Sequence, residues 1–422
     1  LLHKGGGHLG PFLQLIQMGF EAIVAIFFNL FFWIVIFLIY IQYKKTSEIE
    51  IQILGKEKRS LKDKTIHAAA LGLLGGIIGT VVMMGFGVTV DVNDFSWILP
   101  LALLLMTIHV RYLCFSYAGG LLSLSSLVFG FPKINVPSVM AIVAILHLIE
   151  SILIRLDGCR DAIPVFRQDA RHGIIGGFTL QRFWPIPFAV LFLSTVPIEG
   201  AQEIYFPDWW PLFRSGTGIL DPDNIVLQIT AVIAALGYGD VAFTQTPKEK
   251  SKRASRRLFF YSIGLFGLAI LAEKIKLFQY IAAVFAPLMH EMLILYGQKE
   301  EKKGLPIFRQ HINGVRVLDV EEGSAAMKMG LEQGDVILII NNRPVRSKED
   351  IQEILRYYPS YIWLDVMSLK GKMKMLHHQD YRHGIYNLGI LVVSEDVQGV
   401  IDPETSASLL GHLLKKWRRF FR

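Results

Sequence analysis

Cysteine is almost absent: Cys114 and Cys159 are the only two in 422 residues, with no metal-ligand spacing between them. That excludes a disulfide-stapled secreted domain and a cysteine-rich metal finger, and the two read as free thiols facing a reducing cytosol. Charge is scarce too, at 19% of residues, where soluble domains carry roughly 25%. No soluble stretch ahead of residue 297 is large enough for a protease fold bearing a His, Asp and Ser set. Small residues forming a cleavage site are missing after the first apolar run, which ends in Lys44-Lys45 and so reads as a retained segment. The formal net charge of +7 would suit nucleic acid, but the Lys and Arg residues cluster in short loops between apolar runs, as membrane orientation signals do. The expectation is a chain with no catalytic residues, no metal, no cofactor and no nucleic-acid partner.

What is abundant is apolar sequence: 52% of residues are hydrophobic, the mean hydropathy is +0.42, and most of it lies in residues 1–297. This part reads as a polytopic α-helical membrane bundle of roughly seven to nine spans. The candidates are Ala22–Tyr43, Ile66–Gly87, Trp97–Val110, Tyr112–Phe131, Val136–Ile154, Trp184–Ile198, Ile225–Phe243, Leu258–Leu271 and Leu277–Tyr296. Trp97–Phe131 reads either as two spans or as one span with a re-entrant segment. Lys44–Lys64, Arg155–Arg182 and Lys248–Arg257 are basic and belong inside, whereas Asp91–Asp94 and Glu199–Asp223 are acidic and belong outside. Residues 298–304 read as a linker, 305–397 as a small α+β domain on the cytoplasmic side, and 398–422 as a tail. Gly75 with Gly79, and Gly237 with Gly239, are expected to permit close backbone packing between helices.

Ionisable residues inside apolar spans are costly and therefore informative. His147 and Glu150 fall on one helical face, and His290-Glu291 sits deep in the final span. Pairing within the bundle is the expected role, with a proton or transport path as the rival. His290-Glu291 also invites comparison with the zinc-protease His-Glu motif, but Ile294 stands where the second His belongs. Leu156-Asp157-Gly158 resembles the third-ligand element of intramembrane metalloproteases, yet it precedes the His-Glu pair, the reverse of their order.

The most specific stretch is Gly314–Leu355. Val315, Val317 and Val320 alternate as in a strand, Glu322-Gly323-Ser324 supplies a turn, and a short helix follows around Ala325–Met329. Gly330 suits a left-handed helix cap and Gly334-Asp335 turns into the strand Val336–Ile340. Asn341-Asn342 offers another turn, and Ser347 with Asp350 forms a capping box ahead of Ile351, Ile354, Leu355 and Tyr358 on one helical face. This order of parts resembles a PDZ domain, in which an extended peptide adds a strand beside a helix. Two stretches compete for the carboxylate-binding turn: Gly304-Leu305-Pro306-Ile307 and Asn387-Leu388-Gly389-Ile390. Pro306 lacks an amide donor, so the second is favoured, which implies a permuted domain whose ligand-edge strand comes late. Leu388, Gly389, Ile390 and Leu391 would then face Lys348, Gln352 and Leu355 of the helix.

In the tail, Leu409, Leu410, Leu413, Leu414, Trp417, Phe420 and Phe421 fall on one helical face opposite Lys415, Lys416, Arg418, Arg419 and Arg422. A basic amphipathic helix of this kind anchors on an anionic inner leaflet, with Leu410, Leu413, Leu414, Trp417 and Phe421 inserted, or packs on a partner. The whole arrangement, with Phe131-Pro132 to Glu150, Gly176-Gly177-Phe178 to Pro187, Ala286-Pro287 to Glu291 and the PDZ motif, resembles the MinJ family of Gram-positive bacteria. That resemblance implies a cell-division adaptor at the bacterial membrane, enriched at septum and poles. It would link a polar scaffold of the DivIVA type to a MinD-type ATPase through peptide segments or C-termini.

Overall fold

The computed structural model describes residues 10–90, 92–194, 207, 209–213 and 226–394. The proposed tail helix lies outside the described residues. The membrane part contains α1 (Gly10–Ile26), α2 (Leu30–Leu54), α3 (Leu61–Phe86), the two-residue strand β1 (Thr89–Val90), α4 (Val92–Ile108), α5 (Phe115–Phe129) and α6 (Val136–Asp157). Three strands follow, β2 (Ile163–Asp169), β3 (Gly173–Ser194) and β4 (Val226–Ala242), and then α7 (Pro247–Lys274) and α8 (Lys276–Lys303). Helices α2, α3, α6, α7 and α8 are long and apolar enough to cross a bilayer.

Four sequence expectations need correction. The run Ala22–Tyr43 is not one helix, because the chain breaks at Phe27–Asn29 and Asn29 caps α2 by accepting from the Phe31 amide. Trp184–Ile198 and Ile225–Phe243 are not helical spans; their described residues are the antiparallel strands β3 and β4, in register from Phe178↔Ala242 to Ser194↔Val226. Gly237 and Gly239 accordingly lie in a strand. The stretch taken as a linker continues α8, whose last turns are held by Glu300 pairing with Arg257 at 2.7 Å and Glu301 with Lys250 at 3.2 Å.

A strand edge inside an apolar bundle must satisfy its backbone without water. Along β3, residues 183, 185, 187 and 189 turn away from β4, and their amide positions are dealt with separately. The Tyr43 hydroxyl donates to the Phe183 carbonyl at 3.0 Å and accepts from the Phe183 amide at 3.1 Å. Pro185 and Pro187 have no N–H to satisfy. The Ala189 amide donates to Thr80 Oγ1 at 2.8 Å. Helix α3 lies directly on this edge because Gly72 and Gly76 have no Cβ, and one there would meet the carbonyls of Pro185 and Pro187. Gly75 and Gly79, on the adjacent face of α3, lie against Ile149 of α6, the close helix packing expected of them. Phe178, Leu180, Trp184, Ile186, Phe188 and Val190, at period two, fill the core on one face of β3.

The C-terminal domain is built from β5 (Val315–Val320), α9 (Ala325–Met329), β6 (Val336–Ile340), β7 (Arg343–Pro344), α10 (Lys348–Leu355), β8 (Tyr361–Met367), β9 (Met373–Gln379) and β10 (Ile390–Val392). Its sheet runs β10-β5-β6-β8-β9, with β7 on β6. Most local signals act as expected, but α10 ends at Leu355, so Tyr358 leaves the helical face, exposed and at φ 49°. Gly330 caps α9 at φ 86°, Gly334 turns at φ 89°, Asn341 and Asn342 are left-handed, and the Ser347–Asp350 capping box is formed. The domain packs onto the bundle through the other face of β5. Lys58 Nζ meets Asp319 Oδ2 at 2.6 Å, Lys56 pairs with Glu321, and the Gly176 amide donates to the Phe308 carbonyl at 2.8 Å. Leu318 and Val393 close over Gly176, where a side chain would collide with both.

Candidate functional site

The residues expected from sequence to form a peptide groove fall on β10, on the turn before it and on α10. β10 pairs antiparallel with β5, Ile390 opposite Val320 and Leu391 opposite Asp319, and its other edge pairs with no strand among the described residues. Leading into it, Gly389 holds φ 72°, a conformation that costs other residues about 1–2 kcal/mol. The turn is fixed by three bonds: the Leu388 carbonyl accepts from Ala326 N at 3.0 Å, the Gly389 carbonyl from Glu321 N at 2.8 Å, and the Gly389 amide donates to Asn387 Oδ1 at 2.9 Å. Leu388 is buried in the same small core as Ile351 and Leu355 of α10, with Ile390 packed against it. Lys348 and Gln352 are exposed on α10 and Ile390 is half-buried against that small core, whereas Leu391, expected to face the helix, packs against the core of the bundle instead. The competing stretch is engaged elsewhere: Gly304 caps α8, and the Ile307 amide donates to the Phe243 carbonyl at 3.0 Å.

The helix of this groove is held by its acidic cap. Asp350 accepts from Arg346 N at 2.8 Å and Ser347 N at 2.9 Å. These amide bonds hold its carboxyl below the usual carboxylate range.

A second polar constellation lies within the bundle, where α2, α3, α6 and β3 meet. Asp157 at the end of α6 takes Arg182 Nε at 2.8 Å, Trp184 Nε1 at 3.0 Å and His67 Nε2 at 3.1 Å. Arg182 is fully buried, reaches Asp161 at 3.0 Å and lies over the Tyr43 ring at 5.3 Å. Nearby, Lys64 pairs with Glu50 and bonds Ser47 at 3.0 Å, all three buried. Asp157 is thus committed to a structural network of Arg, Trp and His donors. Sequence spacing does not reveal this cluster, because its members come from α2, α3, α6 and β3.

The intramembrane polar residues pair differently from the spacing along each helix. His147 does not bond Glu150; its Nε2 faces Cys114 Sγ at 3.0 Å and its Nδ1 donates to the Val143 carbonyl at 2.7 Å. Glu291 accepts from the Tyr117 hydroxyl at 2.6 Å and pairs with Arg111 at 3.1 Å. His290 Nδ1 lies 3.3 Å from the Tyr117 hydroxyl, and its Nε2 is 3.8 Å from Cys114 Sγ. Cys114 is the residue that the sequence reading left out of this group.

Residues 316–357 match the family model described as PDZ domain. Over 345 residues, 77% of this chain and 82% of the relative, the sequence is 22% identical to the protein named "Cell division topological determinant MinJ" of Bacillus subtilis (strain 168). The chain is MinJ-like. A protein of Lacticaseibacillus paracasei named "Probable cell division topological determinant MinJ" is also 22% identical, over 267 residues that make up 60% of this chain and 65% of that relative. The matched PDZ segment holds α10 and the docked strand of this MinJ-like chain, whereas the Leu388–Leu391 edge lies beyond it.

Proposed function

We propose that this MinJ-like chain is a non-catalytic scaffold of the bacterial cell membrane that helps to place the division site. Its multi-pass bundle fixes the PDZ domain at the cytoplasmic surface, and that domain captures extended segments or C-termini of division proteins. The supporting observation is the edge strand β10, paired on one side only among the described residues and sharing a core with α10. A peptide adding to that edge gains main-chain hydrogen bonds, while Lys348, Gln352 and Leu355 set side-chain preference. At the turn, Asn387 Oδ1 occupies the Gly389 amide, and a peptide carboxylate would take that place as a stronger, charged acceptor. Lys56, whose side chain is 61% exposed beside Glu321, adds positive charge near this end.

Orientation follows from charge. The basic residues of 44–64, 155–182 and 248–257 lie in the segments at the PDZ-bearing end, which the positive-inside bias assigns to the cytoplasm. A MinD-type ATPase and a DivIVA-type polar scaffold are the partners proposed, both themselves found at that surface, where confinement raises effective concentration. The tail from residue 398 is proposed to hold the domain against anionic lipid. Photo-crosslinking tests the groove: a photoreactive residue at Gln352 or Lys348 of the full chain, both exposed on α10, should capture one of these partners in dividing cells. Capture of neither, with robust capture by a control position elsewhere in the membrane, rejects the adaptor reading.

A further inference from the structure

Three helices bring Cys114, His147 and His290 together, with Sγ and both Nε2 atoms within 4.8 Å of one another. Cys114 caps the N-terminus of α5, His147 is in the middle of α6, and His290 is in α8. The hydrogen-bond pattern fixes what these atoms present. His147 Nδ1 faces a carbonyl, which only accepts, so Nδ1 carries the proton and Nε2 offers its lone pair. The Tyr117 proton goes to the Glu291 carboxylate, so the Tyr117 oxygen accepts from His290 Nδ1, and His290 Nε2 likewise offers a lone pair. Cys114 Sγ accepts from the Ser116 amide at 3.4 Å, as the cap of α5. Two lone pairs and a sulfur therefore converge with at most one thiol proton among them.

We propose that Cys114, His147 and His290 bind one zinc ion inside the bundle. A tetrahedral zinc with bonds of about 2.3 Å to sulfur and about 2.0–2.1 Å to nitrogen separates S from N by about 3.6 Å. The observed Cys114 separations of 3.0 and 3.8 Å lie on either side of this value. Each imidazole has the partner on its far nitrogen that orients a metal-bound histidine: a carbonyl for His147, and the Tyr117–Glu291 pair for His290. Binding exchanges the thiol proton for the cation, with no change of oxidation state, and leaves zinc plus thiolate at one positive charge. Glu150, one turn beyond His147, makes no hydrogen bond or ion pair among the described residues. A carboxylate at this position would offset that charge, and water would complete the fourth position. The ion would cross-link α5, α6 and α8 beneath the PDZ domain, a structural role independent of peptide capture.

The test uses the full chain purified in mild detergent with a tag that does not bind metal. Elemental analysis should find about one zinc per chain, and cobalt replacement should give the sulfur-to-cobalt charge-transfer band and visible bands of a tetrahedral site. Cys114→Ser should abolish the charge-transfer band, whereas Cys159→Ser keeps it. A measurement on the unaltered chain guards against misfolding: alkylation of Cys114 should be at least about tenfold slower with zinc than after chelation. No cobalt bands after metal exchange, bands that survive Cys114→Ser, or an alkylation rate indifferent to chelator would each overturn the proposal.

Discussion

Tyr43→Phe removes one oxygen from the chain and leaves both backbone groups of Phe183 without a partner. The ring remains, so packing against Phe183 at 6.0 Å and beneath Arg182 is kept. What is lost is the hydroxyl that satisfies the Phe183 carbonyl and amide at 3.0 and 3.1 Å. A buried group left unpaired costs about 1–3 kcal/mol, so the two together cost roughly 2–6 kcal/mol, part of it regained if water reaches this end of the strand. At about 2 °C per kcal/mol, the scale of larger soluble domains, that lowers the melting midpoint by about 4–12 °C. Thermal unfolding of the full chain in detergent, followed by dye access to buried thiols, measures it. Thr80→Val, which strips the acceptor from the Ala189 amide, should cost about half as much, and Thr80→Ser much less than Thr80→Val. A Tyr43→Phe protein melting with the wild type would refute the account of how the β3 edge is satisfied.

Three further outcomes follow. Gly389→Trp places a side chain at φ 72° and against Ser324, so it should abolish crosslinking at the groove while membrane insertion persists, as fractionation will show. Lys58→Asp breaks the 2.6 Å pair with Asp319, so it should speed proteolysis near Gly304 several-fold, and Asp319→Lys in the same chain should restore much of the resistance. Asp350 has a lowered pKa in the folded state, so its contribution is complete above the unfolded value of about 3.9 and is lost as pH falls through the folded value. Hydrogen exchange in α10 should therefore accelerate in acid, relative to the rest of the domain, and Asp350→Asn should remove much of that acid dependence.

The PDZ domain is legible in the sequence because its signals are local. Gly330, Gly334 and Asn341-Asn342 each demand a left-handed backbone, Ser347 and Asp350 sit at capping distance, and the late Leu388-Gly389-Ile390 turn is flanked by strand-forming residues. The long hairpin is not legible from hydropathy, since a buried strand and a membrane helix draw on the same apolar residues. Its signature is of another kind: Trp184, Ile186, Phe188 and Val190 alternate with Pro185 and Pro187, two prolines at a strand's period that a helix would not tolerate together. The Cys114 cluster leaves no linear trace, because Cys114 is 33 residues from His147 and 176 from His290 and meets them only when α5, α6 and α8 pack. The same holds for Arg182, which reads as a loop cation and is instead the fully buried centre of the polar cluster at the end of α6.

Imaging the full chain in dividing cells tests the division role most directly. A fluorescently tagged protein should concentrate at septa and poles, and the Gly389→Trp chain should spread evenly over the membrane at equal abundance. Uniform distribution of the unaltered protein through the cell cycle would contradict the account.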